Sequence, residues 1–405
     1  MSIKIFQISS EVNSGSVGRI AEQIGEEVIK EGWKSYIAYA RDNQISTSET
    51  IKIGNNFSII KHGILTRLTD RHGFGSEKVT LELIRKIEDI DPDIVQLQHM
   101  HGYFINIQVL FNYLSKKNIP VVWTFHDCWS FTGHCAHFEY IGCEKWLTHC
   151  EKCPQTNEYP KSFVDQSYKN FEDKRRLFNS VSNITIVPVS KWLGRLVEKS
   201  FFQNSRIKVI HNGIDLEKFT VKPNNTIKKS LNIEDKFLIL GVASPWTEKK
   251  GFHYFIELSK KISSSYQIIL IGLSKDQIKN LPVNIYGIER TENVEKLAEF
   301  YSAADVFVNL TLEDTFPTTN LEALACGTPV VTFNTGGSPE GIDTSTGIII
   351  EKENTLQLIE AIEAIKENTK EKYSKNCRAR AEQYFDKSKC FTQYIEIYKE
   401  ILNKN

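Results

Sequence analysis

The sequence predicts an α/β protein of two doubly wound units followed by a helical tail, and three observations carry that prediction. A length of 405 residues exceeds what one hydrophobic core usually organises. Short β-branched runs alternate with helix-length periodic segments, which calls for parallel sheets covered on both faces. The alternation pauses after Asp215 and resumes at Phe237, so it forms two series.

In the first series Ile3–Ile8 reads as a strand and Gly18–Lys30 as a helix with Ile20, Ile24 and Val28 on one face. Strands follow at Ser35–Tyr39, Ile94–Leu97 and Pro120–Phe125, and helices at Glu77–Ile90 and Ile107–Ser115. An irregular stretch over 127–170 interrupts the order before a strand at Ile184–Val189. Lys191–Phe202, KWLGRLVEKSFF, sets Trp192, Leu193, Leu196 and Val197 against Lys191, Arg195 and Lys199, a basic amphipathic helix that suits a core face or a membrane surface. After Val209–Asp215 a polar segment, Lys222–Lys229, reads as a linker.

The second series has strands at Phe237–Val242, Ile268–Gly272, Val283–Tyr286, Val306–Leu310 and Val330–Phe333, and helices over 251–263, 293–303 and 319–326. Residues 354–405 show helical patterns only, with Phe385, Tyr394 and Tyr398 recurring on apolar faces. The expected domains are 1–205, carrying a Cys-rich insert at 128–160, then 206–385, then a helix over 386–405. Ligands of open α/β sheets sit beyond the carboxyl ends of the strands, so two facing units would enclose a cleft.

Composition narrows the partners. Lys+Arg and Asp+Glu both number 50, and this balance argues against duplex nucleic acid, which usually selects a net basic footprint. The opening MSIKIFQISS lacks an apolar signal core, and no run approaches the eighteen or so apolar residues of a membrane span. The expectation is a soluble, cytoplasmic chain whose eight cysteines are mostly reduced.

The sharpest chemistry lies in Ala304–Gly337, ADVFVNLTLEDTFPTTNLEALACGTPVVTFNTGG. A strand ends at Leu310, a loop follows with two acids and the pair Phe316-Pro317, and Thr318–Asn320 can cap the next helix. That helix stops at Gly327, and Pro329 prevents its continuation. Glu322 is then expected in the first turn, where free backbone N–H groups favour an anion. A carboxylate there can accept both hydroxyls of a ribose, and Asp314 stands eight positions earlier. Gly241–Gly251, GVASPWTEKKG, ends a strand and opens a helix, which aims Lys250 at the same end of the sheet.

In the first unit Gly15-Ser16-Val17-Gly18-Arg19 opens the first helix, where glycines admit a ligand to the backbone; a plain tight turn explains the spacing equally well. His126 begins HDCW at a strand's carboxyl end, with Asp127 placed to orient it or cap the next segment. His99 and His101, in QLQHMHGYFIN, read as acceptor-loop or structural residues. Cys135, Cys143, Cys150 and Cys153 fall within nineteen residues, with His134, His137 and His149 close by. The terminal C-x-x-C with two upstream cysteines is compatible with a tetrahedral structural zinc that would order a long loop; disulfides or buried thiols weigh equally.

The Asp314–Glu322 spacing, followed by EALACGTPVV and by Gly336, Gly337, Pro339 and Glu340, resembles glycosyltransferase family 4, whose fold is GT-B. That fold has two facing Rossmann-like domains and a C-terminal helix that crosses back onto the first. The usual first acid of the family is Glu; here Asp314 holds the place, with Glu313 one residue earlier. The resemblance implies a nucleotide-diphosphate sugar as donor, a glycan or lipid-linked glycan as acceptor, transfer of a hexosyl-type sugar with retention, and no metal for catalysis. It implies His126, Asp314 and Glu322 as catalytic, His126 through a TxHD motif, and Lys250 as the cation that neutralises the diphosphate. Gly15, Gly18, Arg19, Phe316, Pro317 and Thr318 would line the donor beside Glu322. An Arg usual five positions before that Lys is replaced by Pro245, leaving Arg290 or Lys249 to substitute. VIHNGID, Val209–Asp215, resembles the family's inter-domain segment.

A Cys-rich insert after HDCW recurs in a subset of the family that builds bacterial capsule, exopolysaccharide or lipopolysaccharide O-antigen, so that pathway class is the expected setting. A lipid-linked acceptor would bring peripheral contact with the inner face of the cytoplasmic membrane, through Lys191–Phe202 and the basic Thr66–Arg71. Two other readings stay open, a sugar-nucleotide epimerase on the same architecture and a non-catalytic sugar-nucleotide-binding protein.

Overall fold

Strand runs such as VVWTF and YQIILI are buried at every position, as parallel strands must be when helices cover both faces. The computed structural model describes residues 2–222 and 226–403. It divides into unit 1, Met1–His211 with Phe391–Asn405, and unit 2, Asn212–Cys390.

Unit 1 runs β1 (Lys4–Ile8), α1 (Gly15–Lys30), β2 (Lys34–Tyr39), β3 (Glu49–Lys52), α2 (Asn56–Thr69), α3 (Glu77–Ile90), β4 (Ile94–Leu97), α4 (Ile107–Lys117), β5 (Val121–Phe125), α5 (Ser167–Phe178), β6 (Ile184–Pro188), α6 (Lys191–Lys199) and β7 (Arg206–Ile207). Its strands order as β3-β2-β1-β4-β5-β6-β7, every pairing parallel. The order reverses between β1 and β4, and the segments leaving those strands diverge to open a crevice at their carboxyl ends.

Unit 2 runs α7 (Thr226–Ser230), β8 (Phe237–Val242), α8 (Phe252–Lys261), β9 (Tyr266–Ile271), α9 (Lys275–Lys279), β10 (Ile285–Ile288), α10 (Val294–Ala303), β11 (Val306–Asn309), α11 (Thr318–Ala325), β12 (Val330–Phe333), β13 (Gly347–Ile350), α12 (Thr355–Asn368) and α13 (Lys370–Tyr384). The order β10-β9-β8-β11-β12-β13 repeats the same plan, with the reversal between β8 and β11.

A last helix, α14 (Lys387–Leu402), follows. Its Phe391, Tyr394, Ile395 and Tyr398 share a core with Ile5, Ile24, Ile94 and Val122 of unit 1. Two buried hydroxyls fix the register: Tyr394 OH lies 3.1 Å from Thr124 Oγ1, and Tyr398 OH donates to Gln96 Oε1 at 3.0 Å. The unit boundaries fall at 211/212 and 390/391, a few residues beyond those expected from sequence. Ile210 belongs to the core of unit 1, whereas Ile214 N donates to Phe385 O within unit 2.

Several expectations need correction. The polar segment Lys222–Lys229 is internal to unit 2 and is no linker, because Ile227 and Lys228 are buried and Lys228 Nζ lies 2.6 Å from Asp305 Oδ2; its residues 223–225 lie outside the described residues. Helix α6 buries Leu193 and Val197 in its own unit, the core-face alternative of its two expected readings, with Trp192 and Leu196 half-buried. Arg71, counted as surface charge, pairs with Asp173 at 2.7 Å. The exposed apolar face belongs instead to α2, where Phe57, Ile60, Ile64 and Leu68 are exposed while His62 and Thr66 are buried. Among the described residues no helix is long and apolar enough to cross a membrane.

Candidate active site

At the switch point of unit 2, the loop after β8 and the loop after β11 are stitched together. Leu312 N donates to Lys249 O at 2.8 Å, and Gly251 turns at φ +77° where a Cβ would collide with the Leu310 carbonyl. That closeness sets two consecutive ion pairs across the loops. Lys249 Nζ lies 2.9 Å from Glu313 Oε1, and Lys250 Nζ lies 2.7 Å from Asp314 Oδ2. Asp314 Oδ1 also accepts from Phe316 N at 3.2 Å, which curls the Phe316-Pro317 turn toward the start of α11. Arg290 is exposed on the far edge of the sheet, after β10.

Glu322 sits in the second turn of α11, not the first, because the helix begins at Thr318. Pro317 occupies the N-cap without a side-chain cap; Asn320, expected there, instead accepts from Asn309 Nδ2 and donates to Ser338 O. Glu322 Oε2 accepts from Tyr301 OH at 2.8 Å. Tyr301, on α10, is fully buried, and its burial beside the Glu322 carboxylate pushes the phenol well above its ordinary range, so it stays a donor. Tyr301 carried no motif; it reads in sequence as one more apolar helix residue.

In unit 1 the loop after β1 leads into α1. A Cβ at Gly15, which has φ +62°, would strike the Glu11 carboxylate, and one at Gly18 would come within 3.1 Å of the Glu11 backbone. Both glycines therefore make room for Glu11, which favours the tight-turn reading, while Arg19 is exposed on α1. His126 follows β5, and its Nε2 lies 2.8 Å from Gln98 Oε1. Gln98 Nε2 donates to Gln7 Oε1 at 3.1 Å, and Gln7 Nε2 donates to Ala21 O at 2.8 Å, so a buried amide chain fixes the imidazole. Burial, then His99 nearby, holds His126 well below its ordinary pKa and keeps it neutral.

Asp127 does not orient His126. Its Oδ1 caps Trp129 N at 2.9 Å, the capping role that was one of the two expected. Its Oδ2 receives His101 Nε2 at 2.6 Å and His99 Nε2 at 3.2 Å. The latter two follow β4, adjacent to β5, and sequence spacing alone does not bring them to Asp127.

The cysteines of the insert are near neighbours, Cys135 beside Cys153 and Cys150, and Cys150 beside Cys143. Among the described residues the only group of three or more His, Cys, Asp or Glu side chains within ligand distance is His99, His101 and Asp127. All eight cysteines are free; Cys135 and Cys153 share a side-chain hydrogen bond, whereas Cys143 stays half-buried beside the Gly142 turn. Other groups knit the segment. Lys174, fully buried on α5, donates to Trp129 O at 2.8 Å and Thr132 O at 3.1 Å, with its ammonium 3.5 Å from the centre of the Trp129 ring. Burial lowers its pKa to about 7. His134 and Asp70 form a fully buried pair at 2.5 Å, and Phe138 stacks on Trp146.

Comparison with known proteins follows the same two-part division. Residues 17–218 match Glycosyltransferase Family 4, and residues 235–368 match Glycosyl transferases group 1. A protein of Escherichia coli strain K12, assigned as the colanic acid biosynthesis glycosyl transferase WcaC, is 24% identical across 98% of this chain and 100% of its own length. The Staphylococcus aureus capsular polysaccharide biosynthesis glycosyltransferase CapM is 25% identical over 54% of this chain and 62% of its own. Sucrose-phosphate synthase from Thermosynechococcus elongatus superposes with a TM-score of 0.74 over 100% of both chains at 16% identity. Anabaena HepE in complex with UDP-glucose gives 0.67 at 16% identity, over 98% of this chain and 100% of that one. Those identities speak for the fold alone, and the fold is GT-B. With one family pattern on each unit, the chain belongs to the glycosyltransferases of family 4.

Proposed function

We propose that this enzyme moves a hexosyl-type sugar from a nucleotide-diphosphate donor to a glycan or lipid-linked glycan, with retention, in bacterial surface polysaccharide synthesis. The observation that carries the reading is the Lys250–Asp314 pair at the carboxyl ends of β8 and β11. A switch point is where open α/β sheets receive nucleotides, and a cation there meets the charge of a departing diphosphate. Phe316, Pro317 and Thr318 border that pair, and Glu322, steadied by Tyr301, is the candidate for the ribose hydroxyls. The names of WcaC and CapM support the polysaccharide setting, and the UDP-glucose complex of HepE supports the donor class.

In the transfer, the sugar C1–O bond breaks with its electron pair leaving on the diphosphate. The acceptor hydroxyl bonds to C1, and its proton passes to the leaving phosphate oxygen. Lys250 would stabilise the charge that develops, and neutral His126, whose single N–H is given to Gln98 Oε1, would contact the sugar. The Gly15–Arg19 turn is the weakest candidate of the set, because Glu11 already explains both glycines. Peripheral contact with an anionic membrane, if the acceptor is lipid-linked, is assigned to α2. Incubation with UDP-, GDP- and dTDP-sugars and a lipid-linked acceptor tests the reading: nucleoside diphosphate must appear together with glycosylated product. Sugar-nucleotide turnover without an acceptor product would select an epimerase or hydrolase instead.

A further inference from the structure

We infer that His99, His101 and Asp127 form a binding site for a divalent first-row transition ion of the zinc class. Strands β4 and β5 are neighbours, so the two-residue step from His99 to His101 beyond β4 meets Asp127 two residues beyond β5. The ligand atoms are His99 Nε2, His101 Nε2 and Asp127 Oδ2, all within 4.8 Å of one another. Tetrahedral metal–ligand bonds of about 2.0–2.2 Å separate neighbouring ligand atoms by roughly 3.3–3.6 Å. The observed Nε2–Oδ2 separations of 3.2 and 2.6 Å fall just short of that spacing, so a small outward shift of the side chains would admit the ion.

The surroundings have the form of a ligand shell. Asp127 Oδ1 is taken by Trp129 N, which leaves Oδ2 for the imidazoles. His101 Nδ1 lies 2.9 Å from Tyr159 OH, so its far nitrogen is anchored and Nε2 faces inward, the outer partner that a ligating histidine usually has. Elsewhere in unit 1, His134–Asp70 and His149–Glu172 each join one imidazole to one carboxylate, the form of an ordinary ion pair. At Asp127 two imidazoles converge on one oxygen, and an ion would replace their two Nε2 protons.

Two imidazoles and one carboxylate suit zinc, cobalt or ferrous iron, and not magnesium or calcium, which take oxygen shells. Three protein ligands leave a coordination position for water or a substrate oxygen, and the half-buried His99 gives access. This site is independent of the sugar-transfer reading and of the cysteines.

Cobalt titration of the chelator-treated full-length chain tests it. One equivalent should bind, with visible d–d absorption and without the near-ultraviolet charge-transfer band of thiolate ligation. Binding should be lost in His99→Ala and in His101→Gln, a variant that keeps a side-chain donor for Asp127. It should persist in Cys135→Ser/Cys153→Ser, and weaken about tenfold to a hundredfold in Tyr159→Phe. Circular dichroism checks that each variant is folded. A thiolate band, loss in the cysteine variant, or equal binding in folded His99→Ala would each overturn the inference.

Discussion

Lys250 Nζ and Asp314 Oδ2 stand 2.7 Å apart at the switch point of unit 2, so the cation suited to a diphosphate is held by the acid suited to the same donor. Side-chain exposures of 39% and 20% put the pair in partly hydrated surroundings, where such a bridge contributes under about 1 kcal/mol to stability. Its value is positional. Lys250→Ala should therefore keep the wild-type melting temperature while kcat/KM falls about a hundredfold to a thousandfold, the scale for removing one charge-stabilising donor. Asp314→Asn keeps Lys250 in place and should lose much less than Lys250→Ala. Steady-state kinetics with whichever sugar nucleotide the donor panel selects, beside thermal melts, decide it; equal kcat/KM in Lys250→Ala and wild type would sink the assignment.

Tyr301 reaches Glu322 from α10 with a buried hydroxyl, and acts on any donor only through that carboxylate. Tyr301→Phe should raise the donor KM several-fold with kcat nearly unchanged, because Glu322 remains but is less firmly placed. The lost buried hydrogen bond should cost about 1–2 kcal/mol of stability. Glu322→Ala should abolish transfer. If Tyr301→Phe lowers kcat and leaves KM alone, Glu322 is not a ground-state contact to the donor.

Much of this was legible in sequence where burial is continuous. Strands such as VVWTF and YQIILI announce themselves, and the EALACGTPVV helix-to-strand passage places Glu322 within one turn of its position. Strand β3, ETIK, was not legible, since an edge strand with three exposed residues has no apolar signal. Helix α2 was hidden by inversion, with isoleucines outside and His62 and Thr66 inside. The histidine pair at Asp127 depends on β4 and β5 being neighbours, which is a fact of topology and not of spacing.

Lys174 gives the insert a pH signature. Its pKa is about 7 in the folded chain against an ordinary 10.5, because burial outweighs the acids and thiols around it. Between those values the unfolded chain binds a proton that the folded chain does not, so stability rises with pH above 7 and is flat below. The slope approaches about 1.4 kcal/mol per pH unit at its steepest. Lys370, lowered to about 8, adds the same sign in unit 2, so the variant comparison is what isolates Lys174. Urea unfolding from pH 6.5 to 8.5 should show a smaller rise in Lys174→Met than in wild type; parallel curves would mean Lys174 stays charged when folded.

Helix α2 carries the last prediction. Phe57, Ile60, Ile64 and Leu68 stand 74, 60, 55 and 59% exposed on one helix, beside exposed Lys61 and Arg67 and next to Phe163, itself 70% exposed. A stripe of this kind costs solubility unless something covers it, and interleaved cations favour an anionic bilayer surface over a neutral one. Wild-type chain should co-sediment with vesicles rich in phosphatidylglycerol at low salt and less so with phosphatidylcholine alone. Ile60→Asp/Ile64→Asp should lose that binding yet melt like wild type, since both side chains are already in water. Full binding by the double variant would move the contact away from α2, and indifference of the wild type to lipid charge would remove the electrostatic part of the argument.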